Sequence, residues 1–188
     1  YRSNNDLGLI YLIYFNNIEK AHQYLNIAGL NEYPYGQNNL GLLSQFYLNK
    51  TENAEYLYER ASKHNFSLAE YNLGYIKEED DKLEQAIEFY IKASEHENEP
   101  LVFHNHKHFD SRLETSKMFV ICFTNLKLVD YYLSKDNFNE AKKFFIKSFD
   151  KLKLKDKNSS YNFRFVFNKN NIKNSFEYLK LFILKDRK

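Results

Sequence analysis

The chain has 188 residues, of which 43% are hydrophobic and 28% charged, and its formal net charge is +2. This length and apolar content suffice for one or two domains with a packed core. The 5 glycines and 2 prolines are too few for a sandwich or barrel of short strands joined by tight turns, and the glycine spacing contains no phosphate-binding loop motif.

Helical periodicity begins near the start of the chain. One helical face of the first segment is predicted by apolar residues at three- and four-residue intervals, which are Leu7, Ile10, Tyr11 and Tyr14. Ala21 and Leu25 follow the same pattern in the next segment. The predicted helices, in chain order, cover residues 3–14, 17–29, 35–48, 51–64, 67–77, 81–96, 112–134, 137–153, 158–168 and 172–185.

Polar residues followed three positions later by Glu predict where several of these helices start. This spacing is typical of an N-cap whose side chain accepts a backbone N–H of the first turn. The predicted cap residues are Asn16, Asn49, Ser67, Asp81, Ser111 and Asn137.

Two motifs repeat along the chain and predict its organisation. The first is Asp/Asn-Leu-Gly, with its glycines at Gly8, Gly41 and Gly74, 33 residues apart. The second has small residues at both ends and two large apolar residues in the middle. Its first positions are Ala21, Ala54, Ala86, Ala141 and Ser175. Small side chains let two helices approach closely, and a mid-helix glycine costs about 1 kcal/mol relative to alanine, so we attribute these positions to packing.

The two motifs together predict an all-α fold of about five antiparallel helical hairpins. A hairpin with apolar residues on more than one face must stack on its neighbours, which gives a solenoid. We assign the whole chain, 1–188, to a single repeat domain. Its predicted repeats cover 3–34, 35–66, 67–96, 112–153 and 158–188, with an insertion at 97–111.

The insertion contains three alternating histidines, His104, His106 and His108. In a strand, all three side chains would lie on one side, where they could bind a metal ion together. Because no further ligand motif supports that geometry, we interpret them as exposed loop histidines and predict no metal site.

The repeat motif resembles that of the Sel-one-like repeat family. The run Ala69-Glu70-Tyr71-Asn72-Leu73-Gly74 is similar to the junction between two such repeats, and Asn39-Leu40-Gly41 is a second copy. Tetratricopeptide repeats share the Leu-Gly and Ala positions. The sequence departs from the pattern where Lys127 and Arg164 replace the glycine, and it lacks the usual glycine-rich loop between the two helices.

The resemblance implies a right-handed α-solenoid that scaffolds protein complexes without catalysis. In related solenoids the first helix of each pair lines the concave surface, which would bind a peptide or protein partner. Applied to this sequence, the resemblance implies that the partner-binding residues are Leu42, Phe46, Tyr75, Tyr131 and Tyr132. The alternative is that they pack against the neighbouring repeat.

Charge is distributed unevenly along the chain. Residues 1–100 carry 8 basic and 16 acidic side chains, whereas residues 142–188 carry 14 basic and 4 acidic ones. Solvated helix surfaces explain this asymmetry. The alternative is a basic C-terminal end that binds nucleic acid or another anionic surface. The acidic first half of the chain makes a nucleic-acid partner the weaker interpretation.

The sequence contains no recognisable catalytic constellation, and we predict neither an enzyme nor a cofactor. Cys122 lies in the most apolar run of the chain, where a thiolate is disfavoured. A lone cysteine and the lack of a membrane-length apolar run favour a cytoplasmic protein. Because the sequence begins at Tyr1 with helix-like residues, we interpret it as a fragment. The resemblance, which includes arrays fused to protein kinase domains in some protists, implies that a catalytic domain such as a kinase would lie outside it.

Overall fold

The computed structural model describes residues 1–96 and 124–153, with side chains described for 1–96 and 124–148. Over this part of the chain the backbone forms eight helices and no strand, so the prediction of an all-α fold is confirmed there. The histidine insertion (His104, His106 and His108) and the predicted last repeat, 158–188, lie outside the described residues. The chain divides into two compact units, Tyr1–Val120 and Ile121–Lys188.

The first unit contains six described helices. They are α1 (Arg2–Ile13), α2 (Ile18–Leu30), α3 (Pro34–Phe46), α4 (Thr51–Ser62), α5 (Ser67–Glu79) and α6 (Leu83–Glu95). Helices α1 and α2, α3 and α4, and α5 and α6 pack as hairpins, and each hairpin contacts the next through α2 and α3 or through α4 and α5. Because α1 also contacts α3, we name α1, α3 and α5 the first-helix layer.

The second unit has two described helices. Residues 124–134 form α7, and Phe138–Lys153 form α8. Tyr132 of α7 stacks on Phe144 of α8 with ring centroids 5.6 Å apart and ring planes 4° apart. Ala141 of α8 is buried, so these helices form a hairpin that packs as the earlier ones do.

The turns within the hairpins show that several predicted N-cap residues are wrong. Asn16, Asn49 and Asp81 are not caps; each lies in the left-handed backbone region, with φ of 45°, 53° and 59°. Asn and Asp tolerate this region better than other side chains do. The predicted Ser67 is the first residue of α5, and the cap position before it is Phe66.

Two asparagines do cap helices with their side chains. Asn17, one residue after the predicted cap, accepts the Lys20 amide at 2.9 Å. Asn137 accepts the Glu140 amide at 3.3 Å, as its sequence pattern predicts. The acidic residues in the first turns are favourable near a helix N-terminus even where no side-chain cap is present.

The small residues of both motifs lie where helices touch. Ala21, Ala54 and Ala86 are 0% exposed. A Cβ at Gly41 would lie 2.5 Å from Cε1 of Tyr58, and a Cβ at Gly74 equally close to Tyr90. Gly8 meets Leu25 in the same way. Each of the first three hairpins is therefore closed by a large side chain from its second helix, which packs on a glycine of its first helix.

The core continues from one hairpin into the next. One cluster joins Leu12 and Leu25 of the first hairpin to Leu40, Leu43 and Leu57 of the second. A further cluster joins α4 to α5 and consists of Ala54, Tyr58, Ala61, Phe66, Ala69, Leu73 and Ile76. Since burying one such large side chain is worth about 1.5–3 kcal/mol, neighbouring hairpins stabilise each other.

The buried face of α1 differs in part from the predicted one. Asn5, Gly8 and Leu12 are buried, whereas the predicted Leu7 and Tyr14 are exposed. Apolar periodicity therefore located this face only in part, because Ile10 and Tyr11 are half-buried and Tyr11 packs against the core cluster of the first two hairpins. The buried face of α1 includes Gly8 and Asn5, and a search for periodic apolar residues recognises neither of them.

Candidate partner-binding surface

Three equivalent residues at the C-terminal ends of α1, α3 and α5 form an exposed row. They are Ile13, Phe46 and Glu79, which occupy the same repeat position at intervals of 33 residues. Ile13 is 62% exposed and Phe46 is 57% exposed, and Glu79 is exposed as well. We call these three residues the exposed row. Large apolar side chains so exposed on neighbouring helices are typical of interaction sites.

Two other predicted partner-binding residues lie one helical turn before the row. Leu42 is half-buried and packs against the cluster that joins α4 and α5. Tyr75 is also half-buried. Burial, together with the carboxylates of Glu79 and Glu78, raises the pKa of Tyr75, so its hydroxyl stays neutral beside them. Since Leu42 packs on the core of the next hairpin, this position also fits the alternative interpretation, in which the side chain packs against the neighbouring repeat.

Buried tyrosines hold the polar side chains that precede the row. The Tyr58 hydroxyl donates to Oε1 of Gln45 at 3.0 Å, and the Tyr90 hydroxyl donates to Oε2 of Glu78 at 2.7 Å. Burial raises the pKa of both tyrosines far above the usual value, so they remain donors. In the first hairpin the equivalent pair is apolar, Leu12 and Leu25.

Charges near Glu78 and Glu79 leave this end of the row acidic. Lys82 Nζ pairs with Asp80 at 3.0 Å, and Lys77 pairs with Glu55 of the preceding hairpin. Both of these lysines, which are close to Glu79 in the sequence, thus pair with other carboxylates. The surface is apolar on α1 and α3 and becomes acidic on α5.

A chain of buried amides holds the first-helix layer in register. Asn72 Nδ2 donates to Oδ1 of Asn38 at 3.0 Å, and Asn38 donates to Asn39 at 3.3 Å. Asn39 Nδ2 then donates to Oδ1 of Asn5 at 2.8 Å, which links α3 to α1. We call these four residues the asparagine ladder. A buried amide left unpaired costs about 1–3 kcal/mol, so a shift of one hairpin against another is penalised.

The repeat motifs do not by themselves predict the asparagine ladder. Asn39 and Asn72 stand in them as the first residue of Asn-Leu-Gly. The available signal was that both recur 33 residues apart on a face whose neighbours are buried. An amide repeated at a core position predicts a partner in the adjacent repeat, because buried polar groups are almost always hydrogen-bonded.

The predicted residues of the second unit lie on α7. Tyr131 and Tyr132 are half-buried, and their ring centroids are 5.3 Å apart. The stacking of Tyr132 on Phe144 ties its ring to α8. Both tyrosines occupy the repeat positions of Gln45 and Phe46, yet they are less exposed than Phe46 because they serve the packing of their own hairpin.

A buried carboxylate lies away from the exposed row. Glu70 of α5 is 1% exposed, and its two oxygens lie 2.8 Å from Nδ1 of His96, the C-cap residue that follows α6. Ser62 Oγ donates to it at 3.5 Å. Burial raises the pKa of Glu70, and the contact with His96 opposes that rise. The equivalent residue in the preceding hairpin is Gln37, an uncharged amide that is also buried.

Other kinds of site were sought among the described residues. Within 1–96 and 124–148, no group of three or more His, Cys, Asp and Glu side chains is placed to hold a metal ion. Of the basic C-terminal end, only the start of α8 is described, where Lys142 and Lys143 are exposed. In the part of the chain that the structure describes, no helix is both long and apolar enough to cross a membrane.

No family model matches the chain, and no curated protein matches it at a significant level. The resemblance to Sel-one-like repeats thus stays a prediction, which depends on the Ala-x-Tyr-Asn-Leu-Gly motif ending at Gly74.

Proposed function

We propose that this chain is a non-catalytic interaction scaffold that binds a peptide or protein on its first-helix layer. The observation that carries the proposal is the exposed row, in which Ile13 and Phe46 present large apolar side chains from neighbouring helices. Exposed apolar residues that are held in fixed register suit the recognition of an extended segment or a helix.

The proposal includes the finer architecture that the repeats imply. It is a right-handed solenoid of about five hairpins in the manner of Sel-one-like repeats, with the first-helix layer on the concave side. We further propose a cytoplasmic setting, in keeping with the lone Cys122. The asparagine ladder, which links the three first helices, supports a binding role, because a preorganised surface loses less conformational entropy when a partner binds.

A peptide-display selection on the immobilised chain tests the proposal. We expect enriched peptides to bind the wild-type protein and to lose about tenfold or more in affinity on the Phe46→Ala, Tyr75→Ala double variant. A tenfold loss corresponds to about 1.4 kcal/mol. Fluorescence anisotropy of labelled peptides measures the affinity, and far-ultraviolet circular dichroism shows whether the variant keeps its helices.

Tyr56→Ala provides the matched control. Tyr56 is 57% exposed, as Phe46 is, but it lies on the second helix of the same hairpin, α4. Peptides that bind through the first-helix layer should bind this variant as they bind the wild type. If no peptide is enriched, or if enriched peptides bind the double variant as tightly as the wild type, the proposed surface is wrong.

A further inference from the structure

The exposed row changes chemistry in one direction along the stack. It is apolar at Ile13 on α1 and Phe46 on α3, and it is acidic at Glu79 on α5. The C-cap residue that follows each of these helices repeats this order, with exposed side chains at Tyr14, Tyr47 and Asp80. Two parallel sets of equivalent residues therefore show the same change from apolar to acidic.

The electrostatic surroundings support a cationic group at the acidic end. Residues 1–96 carry 14 acidic and 8 basic side chains. Lys82 and Lys77, which are close to Glu79 in the sequence, pair with Asp80 and Glu55. The Tyr90 hydroxyl fixes Glu78 beside Glu79. A positive side chain placed there gains from both carboxylates, whereas a negative one is repelled.

The spacing of the helices sets the spacing of the groups that they can bind. Helices α1 and α3 are in contact, and the Asn72–Asn38 hydrogen bond joins α5 to α3. Helices packed in this way lie about 8–10 Å apart, and an extended chain advances about 3.3 Å per residue. One step along the exposed row therefore corresponds to about three residues of an extended segment that crosses the first-helix layer.

We propose that the exposed row binds an extended peptide segment with two apolar residues and one Lys or Arg at three-residue intervals. The apolar residues lie over Ile13 and Phe46, and the basic residue lies against Glu79. The segment can run in either chain direction, so the basic residue is at one end of the triplet or the other. This inference depends on the proposed function and specifies the class of partner.

The display selection also tests this inference, through the sequences it enriches and through a charge swap. We expect peptides with the apolar, apolar, basic pattern at three-residue intervals. Glu79→Lys should weaken their binding about five- to tenfold, and replacing the peptide Lys or Arg by Glu should restore binding to that variant. The affinity of the wild-type pair should fall as salt is raised, because the contact is exposed.

Glu59→Lys is the matched control, since Glu59 is an exposed carboxylate on α4, and it should leave the affinity unchanged. Enriched peptides that need Phe46 but tolerate Glu79→Lys would overturn the partner class and leave the proposed function standing. Failure to enrich any peptide would overturn both. Self-association in sedimentation experiments, abolished by Phe46→Ala, would assign the row to a second copy of the chain and also overturn this inference.

Discussion

The substitution Gly41→Ala probes the contact that closes the second hairpin. Its added Cβ would lie 2.5 Å from Cε1 and 2.8 Å from Cδ1 of Tyr58. The Tyr58 ring is fully buried and its hydroxyl is bonded to Gln45, so the ring has little room to move. Overpacking of this kind costs about 1–3 kcal/mol, while the gain in helix propensity from Gly to Ala returns about 1 kcal/mol.

Because this contact is tight, the overpacking cost should lie toward the upper end of about 1–3 kcal/mol. After the gain in helix propensity, we expect Gly41→Ala to lower the free energy of unfolding by about 1–2 kcal/mol. In a chain of this size, this lowers the melting temperature by about 2–8 °C. Thermal unfolding followed by circular dichroism at 222 nm measures the change.

Gly29→Ala is the control for this prediction. Gly29 is also buried in a helix, but the nearest atom to its added Cβ is Cδ2 of Leu40, at 3.3 Å. The end of a leucine side chain can yield by a few tenths of an ångström, so the propensity gain should leave this variant as stable as the wild type or stabler. If Gly41→Ala were as stable as Gly29→Ala, the seating of Tyr58 on Gly41 would be refuted.

Three further predictions concern the packing, the asparagine ladder and the buried carboxylate. Ala54→Phe should cost about 1–3 kcal/mol by overpacking, and an unchanged melting temperature would mean that position 54 faces solvent. Asn39→Leu removes the partner of Asn5 and should lower the free energy of unfolding by about 1–3 kcal/mol, measured by urea unfolding. An unchanged free energy of unfolding would mean that the asparagine ladder contributes nothing to stability. Because burial raises the pKa of Glu70, the stability that goes with its protonated form is fully present below about pH 4.5 and is lost as the pH rises through the raised pKa. The wild type should therefore lose stability relative to Glu70→Gln over that pH range, and parallel pH profiles of the two proteins would contradict this.

Much of the first unit could be predicted because its hairpins obey simple periodic rules. Helix α4 begins at Thr51 and α5 at Ser67, where the sequence predicts their starts. The small residues of the second helices, such as Ala54 and Ala86, are fully buried. A position that must accept a neighbouring helix tolerates only a small side chain, so its identity is visible without coordinates.

The inner face of the first helices was harder to predict because it is partly polar. Hydrophobic periodicity treats Asn38 and Asn72 as surface residues, yet both are buried and bonded to each other. Similarly, Asp81 appeared to be a cap because its side chain can accept an amide, whereas its backbone conformation is what the turn requires. Both errors arise because one polar residue type serves several structural roles.

The candidate surface was predictable only in part. Phe46 was chosen by its position in the repeat and is exposed, while Leu42 was chosen in the same way and also packs into the core. The deciding factor is which side of the helix its neighbours cover, and that depends on how the hairpins are offset. Sequence spacing gives the position along the helix but does not give that offset.

The central claim is that the first three hairpins stack in one register, and side-chain amide contacts test it most directly. In an isotope-labelled sample of the full chain, nuclear Overhauser effects should connect the Asn39 side-chain amide to the β-protons of Asn5. They should also connect the Asn72 amide to those of Asn38. These pairs are bonded at 2.8 and 3.0 Å, so strong cross-peaks are expected. Helical chemical shifts together with the absence of both cross-peaks would contradict the account.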